Sequence, residues 1–141
     1  MSKRRVVITG LGLLSPVGNN VTESWNNIIQ GKSGVKPITS FDISEFETKF
    51  AATVDIAVED FLDKKEVRRT DPFIQYGLIA SKECIEDSLI DLDNTDLSKF
   101  GVSIGSGIGG LGTIEQNKTK LAENGPKKIS PFFVPGAISN M

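Results

Sequence analysis

Phe100-Gly-Val-Ser-Ile-Gly-Ser-Gly-Ile-Gly-Gly-Leu-Gly112, with Gly125-Pro-Lys-Lys-Ile-Ser-Pro-Phe-Phe-Val-Pro135 downstream, is the stretch on which the fold turns. It reads as a strand from Phe100 to Ile104 that runs into a glycine-saturated turn. A mostly polar helix from about Thr113 to Glu123 follows and ends at Asn124-Gly125-Pro126. Beyond it the chain becomes apolar and is punctuated by prolines.

Upstream, the same grammar repeats. Val6-Val-Ile-Thr9 is a β-branched run with glycines behind it, which predicts a buried strand entering a tight turn. Thr22 caps a predicted helix through Gln30, which puts Trp25, Ile28 and Ile29 on one face and Gly31 at the C-terminal stop. Residues 31–63 read as an irregular excursion with a possible strand at Ala52-Thr-Val-Asp-Ile56. The clearest helix starts at Asp71-Pro72, with Phe73, Gly77, Ala80 and Cys84 on one side and Ile74, Leu78, Ile85 and Leu89 widening the apolar face. That pattern predicts a largely buried helix. Strands alternating with helices point to α/β architecture, although two clear strands and one doubtful one are few for a parallel sheet.

Composition narrows the function. The 141 residues are 38% hydrophobic, enough for a core, and 16 Lys plus Arg against 18 Asp plus Glu give a net charge of −2. That balance argues against bulk attraction to nucleic acid. One cysteine forms no internal disulfide, so a reducing, cytoplasmic compartment is expected. No apolar run reaches the ~18 residues of a membrane span. The opening run is broken by Thr9, Gly10 and Gly12, unlike a signal peptide. The apolar ending, Phe132 to Met141, suggests an N-terminal fragment of something larger.

Gly105-Ser-Gly-Ile-Gly-Gly110 matches the dinucleotide fingerprint and follows a strand, but no second strand ending in an acidic residue follows about 20 residues on. The simpler reading is a close-packed turn where backbone meets backbone. Lys64-Lys-Glu-Val-Arg-Arg69 concentrates four positive charges in an acidic chain, and Lys127-Lys128 adds a pair. With no interleaved aromatic residues, a solvated face or an acidic protein partner suits the pattern better than nucleic acid. Cys84 lies inside an amphipathic helix and reads as a small, inert hydrophobe. With no histidine there is no Cys-His or Ser-His pair, and Asp91, Asp93 and Asp96 read as loop and cap residues without the spacing of a calcium loop.

Taken together, Arg4-Arg-Val-Val-Ile-Thr-Gly-Leu-Gly-Leu-Leu-Ser-Pro-Val-Gly18, Asp71-Pro-Phe-Ile-Gln-Tyr-Gly77, the glycine run and Gly125 to Pro135 resemble the start of a condensing enzyme. The family is the 3-oxoacyl-[acyl-carrier-protein] synthases, in particular the elongating enzyme of type II fatty acid synthesis. The resemblance implies a thiolase-like α/β fold of two pseudo-equivalent halves, dimeric in the family. Residues 1–141 would be the N-terminal part of the ketoacyl synthase domain, an incomplete first half that ends before the nucleophile strand. It implies that Ile108 lines the tunnel for the growing acyl chain and that Phe133 reaches across the dimer interface. Lys65, Arg68, Arg69, Lys127 and Lys128 would receive the acyl carrier protein and the phosphate of its pantetheine arm.

The implied reaction is condensation of an acyl thioester with malonyl-acyl carrier protein, with loss of carbon dioxide. It needs no redox cofactor and no metal for the bond-forming step. The family's cysteine nucleophile and two histidines lie outside this chain, so the chain alone is expected to be inactive. A ketoacyl synthase domain or chain-length partner of a polyketide synthase is the nearest alternative. A dinucleotide-binding oxidoreductase and a short, non-catalytic docking protein are more remote.

Overall fold

Asp71-Pro72 starts the longest helix of the molecule, as its sequence predicts. A computed structural model of the chain describes residues 3–139. These contain five α-helices, α1 (Val21–Ile29), α2 (Lys64–Val67), α3 (Pro72–Ser88), α4 (Leu111–Asn124) and α5 (Phe133–Ala137). Two short strands, β1 (Val35–Pro37) and β2 (Phe50–Ala52), complete the regular structure, with single 3-10 turns at Val58–Asp60, Leu97–Lys99 and Pro126–Lys128. The residues fall into two compact units, one through Ile56 with Ala80–Ile90, the other Ala57–Ile79 with the chain from Asp91 onward.

In the first unit the second half of α3 is laid against the opening segment. A Cβ at Gly10 would collide with the Cys84 carbonyl, and one at Gly12 with the Ala80 carbonyl, so only glycine lets the two backbones touch. The Asp87 carboxylate accepts from the Leu11 amide at 2.8 Å. Glu83 accepts from the Leu13 amide at 2.9 Å with one oxygen and from the Val21 amide at 2.8 Å with the other. Amides of alternate residues point the same way in an extended chain, so two carboxylates one helical turn apart stand where a neighbouring strand would accept.

Several expectations are corrected here. Val6–Thr9 and Phe100–Ile104 carry no ladder among the described residues. The only sheet found there is the antiparallel pair β1–β2, registered Val35 to Ala52 and Pro37 to Phe50. The strand expected at Ala52–Ile56 meets the observed β2 only at Ala52, and residues 53–56 carry no ladder. The partner of β2 lies in the segment expected to be irregular. Parallel pairing needs a partner beyond a crossover, and neither β-branched run finds one among the described residues.

Asn20, not Thr22, caps α1. Its side chain accepts from the Glu23 amide at 2.7 Å, and the buried residue of the helix is Ser24 rather than Trp25, Ile28 or Ile29. Helix α3 is only partly covered, with Gln75 and Ile79 its buried residues. Leu89 falls outside it, in the left-handed conformation at φ 54° and 90% exposed. No helix among the described residues is long and apolar enough to cross a membrane.

Candidate functional site

The second unit holds the residues singled out for function, and polar contacts organise it. Asp71 sits just ahead of α3, and one carboxylate oxygen accepts from the Phe73 amide at 3.3 Å. The other oxygen accepts from the Thr113 hydroxyl at 2.7 Å and the Thr113 amide at 3.3 Å, at the head of α4. The Gly110 amide, just before α4, donates to the Ala137 carbonyl at 2.8 Å. A Cβ on Gly110 would come within 2.7 Å of the Asp71 carboxylate, and Gly109 takes φ 90°. The glycine run thus packs backbone against backbone at its last two glycines. A buried carboxylate already occupies the helix head that would hold a pyrophosphate, which opposes the dinucleotide reading.

Behind this junction lies a cavity of about 500 Å3, lined by Phe73, Ile74 and Leu78 of α3, by Ile104 and by Pro135 and Ile138. Its size and apolar walls suit a small organic ligand. Ile108 does not line it and is 73% exposed. Phe133 is half-buried at the start of α5 and faces a different pocket, shared with Asp71, Gln75, Asn117 and Ser130.

The basic residues fall on two short elements. Lys64 and Lys65 open α2, with Arg68 and Arg69 directly after it, and Lys127 and Lys128 lie on the 3-10 turn that begins at Pro126. All six are exposed. Ion pairs among the described residues are Lys36–Asp55 and Lys99–Asp96, so none of the six is neutralised by one. An open depression is walled by Asp63, Lys64, Lys65, Arg68, Arg69 and Phe132, four cations against one carboxylate. The Arg69 guanidinium carbon stands 4.4 Å from the centre of the Phe132 ring, a cation–π contact that joins the first basic cluster to the Ser-Pro-Phe-Phe segment.

Cys84 is half-buried in α3, and its thiol donates to the Gly10 carbonyl at 3.4 Å. It serves the close approach of Gly10 and Gly12 to the helix, in keeping with an inert role. Asp91 accepts from the Asp93 and Asn94 amides and Asp96 from the Ser98 amide, so both cap loop backbone.

A family model described as "Beta-ketoacyl synthase, N-terminal domain" matches residues 3–141. The chain belongs to this family. The 3-oxoacyl-[acyl-carrier-protein] synthase 2 of Coxiella burnetii (strain RSA 493 / Nine Mile phase I) is 52% identical over 142 residues, covering 100% of this chain and 34% of the relative. The protein of that name from Vibrio harveyi is 49% identical over the same span. That from Staphylococcus aureus (strain N315) is 42% identical over 98% of this chain. The ketoacyl synthase segment therefore spans about a third of the length of these curated relatives, 34% of each.

Among solved structures, the ishigamide ketosynthase/chain length factor superposes with a TM-score of 0.76 at 24% identity, over 97% of this chain and 34% of that one. A type II polyketide synthase acyl-carrier protein in complex with its ketosynthase bound to the hexaketide (AntDE:AntF, apo) matches with a TM-score of 0.70 at 25% identity. That match covers 96% of this chain and 35% of the other. The fold of the ketoacyl synthase segment is thus that of ketosynthases.

Sequence reasoning missed the buried polar residues that knit this segment together. Gln75 is 5% exposed and Asn117 6% exposed. The Asn117 amide donates to the Thr113 carbonyl at 2.8 Å while its oxygen accepts from the Ser130 amide at 3.3 Å. The signal was present. Asp71, Gln75 and Ile79 recur every four residues, and so do Thr113 and Asn117, a spacing that puts each set on one helix face.

Proposed function

We propose that this chain forms the amino-terminal part, residues 1–141, of a thiolase-like ketoacyl synthase that elongates fatty acids. In this reading a cytoplasmic acyltransferase condenses an acyl thioester with malonyl-acyl carrier protein, releases carbon dioxide and works as a homodimer. The observation that carries it is the 49–52% identity, along all of this chain, to relatives named 3-oxoacyl-[acyl-carrier-protein] synthase 2. The nucleophile strand and the two histidines belong to later chain, since the 141 residues hold one cysteine, in mid-helix, and no histidine. A polyketide role has weaker support, because the ketosynthase of a type II polyketide synthase matches at 25% identity.

The exposed cations supply a docking face for the acidic carrier protein. Lys65, Arg68 and Arg69 offer one charged edge and Lys127 and Lys128 another, both exposed and free of ion pairs among the described residues. Such complementarity speeds encounter and fixes orientation. The acyl chain would enter the apolar space near the glycine run. Ile108, exposed here, would line the acyl tunnel together with further chain, and Phe133, which faces a different pocket, would reach across the dimer interface towards the partner's pocket.

The full-length enzyme is the test. It should release carbon dioxide from malonyl-acyl carrier protein when given an acyl thioester. Reversing charge with Arg68→Glu and Lys128→Glu should weaken carrier-protein binding about tenfold at low salt, with the thermal midpoint unchanged. An enzyme inert toward malonyl-acyl carrier protein would sink the catalytic reading, and unchanged affinity would sink the docking face.

A further inference from the structure

Helix α2 is a single turn of four residues, and Arg68 and Arg69 follow it immediately. One turn does not hold itself in water, because fixing its dihedrals costs more than its few hydrogen bonds return. Its exit is pinned locally at the Glu66 carbonyl, which accepts from the Arg69 amide at 3.0 Å, the Thr70 amide at 3.1 Å and the Thr70 hydroxyl at 2.7 Å. These bonds tie the turn to itself and to nothing rigid.

Outside the turn, the Arg69 side chain meets the Phe132 ring and the Asp71 amide donates to the Gly136 carbonyl. The side chain that holds the backbone on both sides of the two arginines is Gln75, on the long helix α3. Its side-chain nitrogen donates to the Val67 carbonyl at 3.1 Å and to the Thr70 carbonyl at 2.8 Å. Those carbonyls bracket Arg68 and Arg69. A primary amide has two N–H donors, and both are used here at 5% exposure. Burying an amide without partners is costly, so the pairing favours one backbone path between Val67 and Thr70.

We infer that Gln75 is a positioning residue for capture of an acidic protein partner, holding the backbone of Arg68 and Arg69 so that their side chains project in a fixed direction. This rests on the docking reading above. Exposed arginines attract an acidic surface from any direction, but a defined complex needs the charges to leave the surface at set points. The partner is the acidic carrier protein, and the surface is the depression walled by Lys64, Lys65, Arg68, Arg69 and Phe132, where four cations outweigh the single carboxylate of Asp63.

The experiment uses the full-length enzyme with Gln75→Leu, Gln75→Met and the double variant Arg68→Ala/Arg69→Ala. Affinity for holo-acyl carrier protein is measured by calorimetry at low salt. Turnover is measured separately with a malonyl-pantetheine thioester, which carries the arm but no protein surface. The two Gln75 variants should raise the carrier-protein Kd about fivefold and leave pantetheine turnover within about twofold. Added to the double arginine variant, Gln75→Leu should change the Kd no further.

If the arginine variant weakens binding and the Gln75 variants do not, the inference falls and the docking face stands. If the arginine variant has no effect, the docking face itself falls. Loss of pantetheine turnover in step with affinity would make Gln75 a general structural residue and overturn the inference. Should neither Gln75 variant fold, hydrogen exchange on the unmodified enzyme decides. Amides of residues 67–70 should be protected, and exchange at the rate of a free loop would overturn it.

Discussion

The Asp71 carboxylate accepts from the Phe73 amide at the head of its own helix and from the Thr113 amide and hydroxyl at the head of α4, so a single side chain serves two positive helix ends. Replacing it leaves buried donors at both. Asp71→Ala should therefore cost about 2 kcal/mol or more, seen as a lower urea midpoint, and Asp71→Asn roughly half as much. Leu89 is the converse case. It stops α3 in the left-handed conformation at φ 54° with its side chain 90% exposed, a position where glycine carries no Cβ penalty. Leu89→Gly should stabilise by about 0.5 kcal/mol, because relief of the strain outweighs the extra freedom of the unfolded chain. Denaturant melts of the two proteins, compared at equal slope, measure the difference.

At the scale of elements, the connection from Asp91 to Phe100 has little regular structure and holds its shape through carboxylates. The Asn94 side-chain amide, then its backbone amide, keep Asp91 below the ordinary aspartate pKa. Ser98 and then Lys99 do the same for Asp96. A carboxylate whose pKa is lowered by folding contributes in full above the unfolded value and loses that contribution as pH falls through the lowered one. Protection of the Asp93, Asn94 and Ser98 amides, their exchange compared with that of the unfolded chain at the same pH, should thus stay flat from neutral pH down to the carboxylate range and fall only below it. Carboxyl carbon shifts in an NMR titration would place each midpoint, and ordinary midpoints would contradict the capping role.

This element also shows what was legible in the sequence. Local rules worked at most places where the partner is a near neighbour, although at α1 the cap is Asn20 and not the expected Thr22. The Asp71-Pro72 start, the end of α4 at Asn124 and the capping use of Asp91 and Asp96 are all in place. The strand predictions failed because a β-branched run states a preference for pairing and not the identity of its partner. The basic cluster was legible as charge. Gln75, which holds it, was not, since a polar residue on an apolar helix face shows its purpose only when its two acceptors are seen.

For the molecule as a whole, the buried side chains are weighted the wrong way for a self-sufficient domain. Ile79 and Ala137 are the buried apolar residues among those described, against Ser24, Asp71, Gln75 and Asn117 on the polar side. Val6 is 87% and Ile8 84% exposed, and Val102 is 79% exposed, although strands of this composition are ordinarily covered on both faces. Leu11, Leu13, Val21, Trp25 and Ile28 line an open apolar groove of about 380 Å3. Apolar surface on this scale attracts dyes, other chains or further copies of itself. The 141-residue chain, purified alone, should bind an anilinonaphthalene dye strongly and sediment as a mixture of oligomers. It should also release no carbon dioxide from malonyl-acyl carrier protein, lacking an activated thiol and any histidine to stabilise the developing enolate. A dye-silent monomer with a sharp melting transition would mean that these runs are covered in solution in a way the structure does not show. Carbon dioxide release would mean that Cys84 or another group does chemistry that its place in α3 argues against.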